Sequence, residues 1–508
     1  MESKQPPSHN PNLELQWRQI TCQRSINANT FAQGVQDFNF SIGAPQALVP
    51  SKCYLRYKLK LTKADGLTPI EDVDNVAIAD NAIAACYDNI YMRLGGQDCS
   101  SITQYCTQAD QVKTRLGKSG AWLDSIGAGA MMKQAPFAHR QDITSIRTTF
   151  PPGFAFQSPP DGGIPLAGTI EVKTADGTIA GVGTALNTPP QDLKVGDVVY
   201  HPAHGTFRVS VAATADDGTS AVLTPFPPAD IGATAGWVKV SGQSNSNIGK
   251  GEVYVMWQPS IGFFGCHEPV GAGDFKLQLN PKPGFATAAV QSIVAAKTSA
   301  DYKFTVESAE LYIATINSTL PPSMTRIFPF QEMQVQSKQL APGSTESLLD
   351  FTVPPSTHAI TVFVQETNAG STTLLTPTMF KMVDKSDENL TGLQLQYANT
   401  AKPATRWTSD SSGTADLLQQ RYLDTQMYSG RIMSAGGSET YADWRTRGPL
   451  YHFTFHRDAS DRSTYLQVSA TFENLGANAN LFVVAHFSTA VEVVSENGFI
   501  VSVLRKSL

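Results

Sequence analysis

The chain has 508 residues, of which 41% are hydrophobic and 16% charged, with 38 basic and 44 acidic side chains and a formal net charge of -6. A single core stops growing beyond about 250–300 residues, so two large domains are expected. The acidic balance, with no Lys/Arg-rich run to offset it, excludes a protein that coats nucleic acid through a broad basic surface, and a charged content below the about 25% of ordinary domains fits a surface covered by neighbours.

The opening MESKQPPSHNPNLELQW has no apolar core of the kind a signal peptide needs, and nowhere does an apolar run reach the about 18 residues that would span a bilayer. The expectation is a chain without a membrane span, made in a reducing cytosol or nucleus. Residues 1–12 are polar and proline-bearing and read as an N-terminal arm. From Leu13 to Leu61, strand-like runs alternate with turns. Leu55, Tyr57, Leu59 and Leu61 alternate with Arg56, Lys58 and Lys60, a period of two that buries one sheet face. Asn89–Leu94 reads as a strand and Gly95-Gly96 as a tight turn. A helix is expected next, with Ile102, Tyr105, Cys106, Ala109, Val112 and Leu116 on one face. The glycine pair lacks the lysine, serine and length of a P-loop, so its role is read as geometric.

Between Pro151 and Gly251 the texture turns proline-, glycine- and threonine-rich, with five or six short strands joined by Asp-Gly and Gly-Thr turns. Leu193–Tyr200 and Phe207–Val209 resemble small SH3-like barrels, so residues 165–245 are expected to form an inserted β domain in a loop of the first sandwich. Strands resume at Glu252–Trp257, at Phe275–Leu279 and at Phe304–Ile316. A seam follows at Asn317–Pro322. The second half repeats the plan, with strands at Phe328–Val335, Leu348–Val353, His358–Gln365, Tyr451–His456, Tyr465–Phe472, Leu481–Phe487 and Phe499–Leu504. Thr414 to Ser429 reads as a helix, capped by Thr414 and stopped by Gly430. Leu481–Ala485, apolar on both faces, is expected deep in the sandwich or against a neighbour. The divisions are therefore an arm at 1–12, a first sandwich at 13–318 carrying the insertion at 165–245, and a second sandwich at 319–508.

No residue is nominated as catalytic, cofactor-binding or metal-ligating, and no cofactor is expected. Cys22, Cys53, Cys86, Cys99, Cys106 and Cys266 are scattered without metal spacing and read as free buried thiols. His452 and His456 sit four apart on a strand, about 13 Å at 3.3 Å per residue, too far to share an ion, and read as outward polar residues. His201 and His204 in the turn HPAH, and the Cys266-His267-Glu268 cluster, lack the further ligands or orienting partner that a metal site or thiol nucleophile needs. Glu71 and Asp72 read as a solvated turn. The tryptophans are dispersed, with no evident binding platform.

Four stretches carry a resemblance. NLELQWRQITCQRSINANTFAQGVQDFNFSIGAPQALVPSKCYLRYKLKL, NIYMRLGGQDCSSITQYCTQADQVKTRL, the run from Phe304 through the seam to Glu366, and FENLGANANLFVVAHFSTAVEVVSENGFIVSVL follow one another in the order and spacing of a known architecture. The chain resembles the double jelly-roll major capsid proteins of the virophage and polinton-like virus lineage; the 165–245 region departs from their compact pattern. The resemblance implies an all-β fold of two tandem eight-stranded jelly rolls with short helices in loops and a small barrel-like insertion. It also implies a non-enzymatic capsid protein of an icosahedral DNA virus, forming homotrimers that act as pseudo-hexameric capsomers. The implied partners are further copies of the chain, penton and minor capsid or cement proteins, a host receptor through the 165–245 insertion, and the genome through the arm or Arg505–Leu508. The implied location is the virion, assembled in the host cytoplasm or nucleus. The alternative is a carbohydrate-binding or adhesive β-sandwich protein; a β-sandwich hydrolase lacks a visible carboxylate pair or metal site.

Overall fold

The computed structural model describes residues 15–68, 76–78, 81–118, 164–166, 169–172, 178–182, 193, 198–201, 205–211, 220–224, 230–240, 251–292, 301–317, 323–341, 343–366, 390–407, 417–428, 444, 449–455, 464–472 and 479–507. Seven strands come first: β1 (Gln16–Thr21), β2 (Gln36–Ile42), β3 (Gln46–Leu48), β4 (Tyr54–Lys63), β5 (Val76–Ile78), β6 (Tyr87–Leu94) and β7 (Gln97–Thr103). Next come β8 (Ile164–Pro165), β9 (Thr169–Val172), β10 (Thr178–Val182), β11 (Val198–His201), β12 (Gly205–Val211), β13 (Ser220–Thr224), β14 (Ile231–Thr234) and β15 (Val238–Val240). The first half closes with β16 (Gly251–Trp257), β17 (Gly273–Pro281), β18 (Val290–Ser292) and β19 (Tyr302–Asn317). The second half holds β20 (Met324–Leu340), β21 (Glu346–Thr352), β22 (Thr357–Glu366), β23 (Leu390–Tyr397), β24 (Thr400–Lys402), β25 (Tyr451–Thr454), β26 (Tyr465–Phe472), β27 (Ala479–Glu496) and β28 (Phe499–Ser507).

The two halves share one topology. In the first, β1-β19-β4-β16 form one sheet and β2-β17-β6-β7 the other; in the second, the sheets are β20-β27-β22-β25 and β21-β26-β23-β24. Numbering the main strands of each half from one to eight in chain order, both halves read 1-8-3-6 in one sheet and 2-7-4-5 in the other. Such an order arises when a long antiparallel hairpin is rolled so that its arms alternate between two facing sheets. The short strands are accessory. β3 extends the first sheet beside β19, and β28 takes the corresponding place beside β27.

Period-two patterning makes each core. Leu55, Tyr57, Leu59 and Leu61 of β4 face Phe275, Leu277 and Leu279 of β17 across the first sandwich, all of them buried. Ile360, Val362 and Val364 of β22 and Leu466, Val468 and Ala470 of β26 fill the second. Inside the first core the hydroxyls of Tyr57 and Tyr87 lie 2.9 Å apart, Tyr87 donates to Gln36 Oε1 at 2.9 Å, and Gln36 Nε2 donates to Phe31 O at 3.1 Å. This chain satisfies polar atoms that burial would otherwise penalise.

Three features differ from the sequence reading. Gly95 and Gly96 do not lead into a helix; with φ of 56° and 82° they turn a hairpin between β6 and β7, as two left-handed residues in sequence do. Ile102 therefore lies on β7, and the helix starts only at Cys106 and runs to Gly117. β20 and β27 run well beyond the expected Phe328–Val335 and Leu481–Phe487, paired in unbroken register from Met324↔Ser495 to Leu340↔Ala479. β23 and β24, absent from the sequence reading, complete the second roll. Between strands 5 and 6 of the first roll lies a separate open sheet, β14-β9-β10-β13-β12-β11-β15-β8, around Ile170, Val172, Val199, Val209 and Trp237. The Leu417–Tyr428 helix occupies the same 5–6 connection of the second roll; its expected cap Thr414 and stop Gly430 lie outside the described residues.

Candidate functional site

The most elaborate constellation in the chain is the contact between its two rolls. β22 and β27 are apolar on both sides. Leu481, Val483 and Ala485 point into the second core, whereas Phe482 and Val484, with Phe363 of β22, join the core cluster of the first roll. The run that is apolar on both faces thus serves two cores at once. Phe363 and Phe482 stack across the strands with ring centroids 5.1 Å apart and planes at 5°.

The first roll meets this pair with the start of the Cys106–Gly117 helix. Tyr105 packs edge-on against Phe482, with centroids 5.3 Å apart and planes at 87°, and its hydroxyl lies 2.8 Å from that of Ser337. One turn on, Gln108 Nε2 donates to Gln365 Oε1 at 3.0 Å. Gln104 and Tyr105 both adopt positive φ, 62° and 53°, a conformation that costs non-glycine residues free energy and aims the tyrosine at the second roll. Farther along the β20–β27–β28 ribbon, Glu332 is buried and paired with Arg505, and Arg326 Nη2 reaches Glu268 Oε2 at 2.9 Å. Burial raises the Glu332 carboxyl, and the Arg505 charge offsets part of that rise. Gly262 of the first roll sits against this ribbon: a Cβ there would lie 2.6 Å from Phe330 and 2.7 Å from the Gln331 carbonyl.

The outer face of the corresponding first-roll sheet carries a second aromatic set. Tyr54 of β4 and Tyr312 of β19 stack at 5.3 Å with planes 8° apart, and Trp17 of β1 lies 5.6 Å from Tyr54. Arg56 pairs with Glu310 at 2.6 Å and lies 4.9 Å over the Tyr312 ring and 5.9 Å over Tyr254. Trp17, Tyr254 and Met256 are 48%, 62% and 44% exposed, values well above those of a sheet face covered by its own chain. The sequence reading missed this cluster because it weighed only the tryptophans. The tyrosines come from strands far apart in the chain, and only the ladder brings them together.

The residues weighed for chemistry fall elsewhere. Cys266 is buried, its Sγ directed at the Glu268 carbonyl at 3.6 Å, and burial pushes its thiol up to about 11, away from a nucleophile's range. His267 is exposed beside it. His201 is buried against Trp237, with Nε2 3.0 Å from Ala235 O. His452 points away from the second core, in line with its reading as an outward polar residue, and is nonetheless buried. Its Nδ1 lies 2.8 Å from Thr361 Oγ1, which is also 2.8 Å from His486 Nε2. His204, His456, Glu71 and Asp72 lie outside the described residues. Among the described residues no three His, Cys, Asp or Glu side chains gather in a metal-binding group, no helix is long and apolar enough to cross a membrane, and all six cysteines are free thiols.

No family model and no curated protein matches the sequence. Solved structures do. A chain in the structure of the Sputnik virophage superposes with a TM-score of 0.50 at 11% identity, over 97% of this chain and 88% of that one. The chain has the double jelly-roll fold. The mavirus major capsid protein aligns at 12% identity over 99% of this chain and 94% of its own, with a TM-score of 0.42. The Faustovirus major capsid protein aligns at 9% identity over 96% and 91%, with a TM-score of 0.43. The double jelly-roll architecture implied by the sequence resemblance is the one observed.

Proposed function

We propose that this chain is a viral major capsid protein, a structural rather than catalytic protein, whose homotrimers act as pseudo-hexameric building blocks of an icosahedral shell. The observation that carries the reading is the repeat itself: two rolls of one topology lie side by side in a single chain, held by a contact with a specific geometry. Three such chains supply six rolls. A threefold assembly can then occupy a near-hexagonal lattice position, and obligate interfaces of that kind bury about 2,000–5,000 Å² with apolar centres.

In this reading the chain divides at 13–318 and 319–508, with the 165–245 insertion carried on the 5–6 connection of the first roll. A connection between strands tolerates such an insertion because the sandwich beneath supplies the stability. The insertion is the candidate contact for a host receptor or a decorating protein. Residues 1–12 and the Arg505–Leu508 end are candidate contacts for penton, minor capsid or cement proteins and genome, in a virion assembled in the host cytoplasm or nucleus. The test is negative-stain imaging of the purified full-length chain and of particles formed when it is co-expressed with its viral neighbours. Hexagonal capsomer outlines and closed shells are the expected result; isolated single chains that never assemble would sink the reading.

A further inference from the structure

Behind the contact between the rolls lies a buried carboxyl. Asp110, on the second turn of the Cys106–Gly117 helix, is 1% exposed, and its hydrogen-bond partners among the described residues are neutral donors. Asn81 Nδ2 donates to Oδ2 at 2.5 Å, Ser260 Oγ donates to Oδ1, and Trp257 Nε1 lies 3.3 Å from both oxygens. The carboxyl thereby ties together two elements with which the first roll holds the second. Its own helix starts beside Tyr105 and carries Gln108, and the Trp257–Ser260 segment runs directly into Gly262, which sits against Phe330 and Gln331. Asn81, 2% exposed and held at a left-handed φ of 57°, has its Nδ2 on Asp110 and 3.5 Å from Thr114 Oγ1, while its Oδ1 is buried and meets no donor among the described residues. An amide offers a donor on one side and an acceptor on the other, so the same side chain, turned over, suits a carboxyl that carries a proton.

We infer that Asp110 and Asn81 form a buried proton switch: the ionised carboxyl takes the Asn81 N–H, the protonated carboxyl donates to the Asn81 oxygen, and the proton sets how firmly the Tyr105 helix and the Gly262 segment are held against the second roll. A carboxylate enclosed among neutral dipoles has lost its water, which favours uptake of a proton. Burial raises the Asp110 carboxyl, and the hydrogen bonds from Ser260 and Asn81 and the charge of Lys113 offset part of the rise. Lys113, three residues on along the same helix, is the charged group facing Asp110, and burial draws its ammonium down to about 8. Cys106, also on that helix, is a thiol pushed up by burial, and from the other stretches packed on the carboxyl come the uncharged Asn81, Trp257 and Ser260. Because the folded value lies above the ordinary 3.8, the contribution of the switch to stability is complete below pH 3.8 and is lost as pH rises through the folded value. Acid therefore tightens the contact between the rolls. The switch lies within one chain and does not depend on the proposed assembly.

The test follows Trp257, whose indole N–H ends on Asp110, by fluorine NMR of the full-length chain labelled with fluorotryptophan, the signal being assigned with Trp257→Phe. Between about pH 3 and 8, the Trp257 signal is expected to titrate with a midpoint above the ordinary 3.8 and to lose that titration in Asp110→Asn. In urea, the wild type should gain stability over Asp110→Asn as pH falls through the same midpoint, and the gain should shrink when both carry Tyr105→Ala. Ser260→Ala removes one donor from the carboxylate and should move the midpoint upward, which decides the matter if Asp110→Asn fails to fold. A Trp257 signal that stays flat, titrates at or below the ordinary value, or titrates unchanged in Asp110→Asn or Ser260→Ala overturns the switch. An acid gain untouched by Tyr105→Ala overturns its link to the second roll.

Discussion

Tyr105 meets Phe482 edge-on at 5.3 Å from a backbone turned left-handed at two successive residues. Local strain and long-range contact coincide there, which marks Tyr105 as the pin between the rolls. Tyr105→Phe keeps the ring and loses the Ser337 partner, at about 1 kcal/mol. Tyr105→Ala loses the ring as well, at about 2–4 kcal/mol for a large aromatic truncated at a partly buried site. Denaturant unfolding of the two variants should show that order, with the Ala form splitting into two transitions as the rolls uncouple. Equal stabilities would remove Tyr105 from this role.

Gly262 tests how closely the rolls approach. A methyl group there meets Phe330, the Gln331 carbonyl and Glu332 at 2.6–2.9 Å, and the carbonyl belongs to a strand held in a continuous ladder. Gly262→Ala is expected to cost about 1–3 kcal/mol, the range for overpacking a fitted contact. The control Gly265→Ala, where nothing lies within 4 Å of the added carbon, should be near neutral.

Arg505 neutralises a carboxylate that is otherwise almost wholly enclosed, with Glu332 showing 2% of its side chain and Arg505 37%. Arg505→Ala should therefore cost about 2 kcal/mol, short of the 3–5 kcal/mol of a fully buried broken pair because the arginine keeps a wet side. The double variant Arg505→Ala/Glu332→Gln should recover part of the loss, since it removes the stranded charge. A thermal melt of the four proteins in the cycle reads the coupling directly.

The Cys266 thiol gives a pH prediction with a definite sign. Its folded value, pushed up to about 11 by burial, lies above the ordinary 9.0, so the folded state holds the proton more tightly than the unfolded chain does. Its contribution to stability is complete below pH 9 and is lost as pH rises through about 11. Iodoacetamide should leave Cys266 unmodified at neutral pH in the folded protein. Fast alkylation there would restore it as a candidate nucleophile.

How much of this was legible in the sequence follows from where the information resides. Strands with one buried face, such as β4 and β26, announce themselves through alternation; β19 runs on to Asn317, the first residue of the Asn317–Pro322 stretch, and β20 begins at Met324. The Gly95-Gly96 hairpin was misread as a strand-to-helix turn because Ile102 and Cys106 fit either period over so short a run, and only the pairing with β6 decides. β23 escaped notice because Leu390–Tyr397 mixes glycine and glutamine into a strand whose inward residues are set by its place in the sheet. The Tyr54–Tyr312 surface was out of reach for a deeper reason: alternation says that Tyr54 and Tyr312 face outward, but nothing local says that they face each other. The repeat is visible in the sequence as two sandwiches, whereas the identity of their strand orders exists only in the ladder.

The measurement that bears most directly on the capsid reading is the solution mass of the purified full-length chain by light scattering across a dilution series. A species of three times 54.7 kDa that persists on dilution is the predicted result. A folded species of 54.7 kDa at every concentration would contradict it.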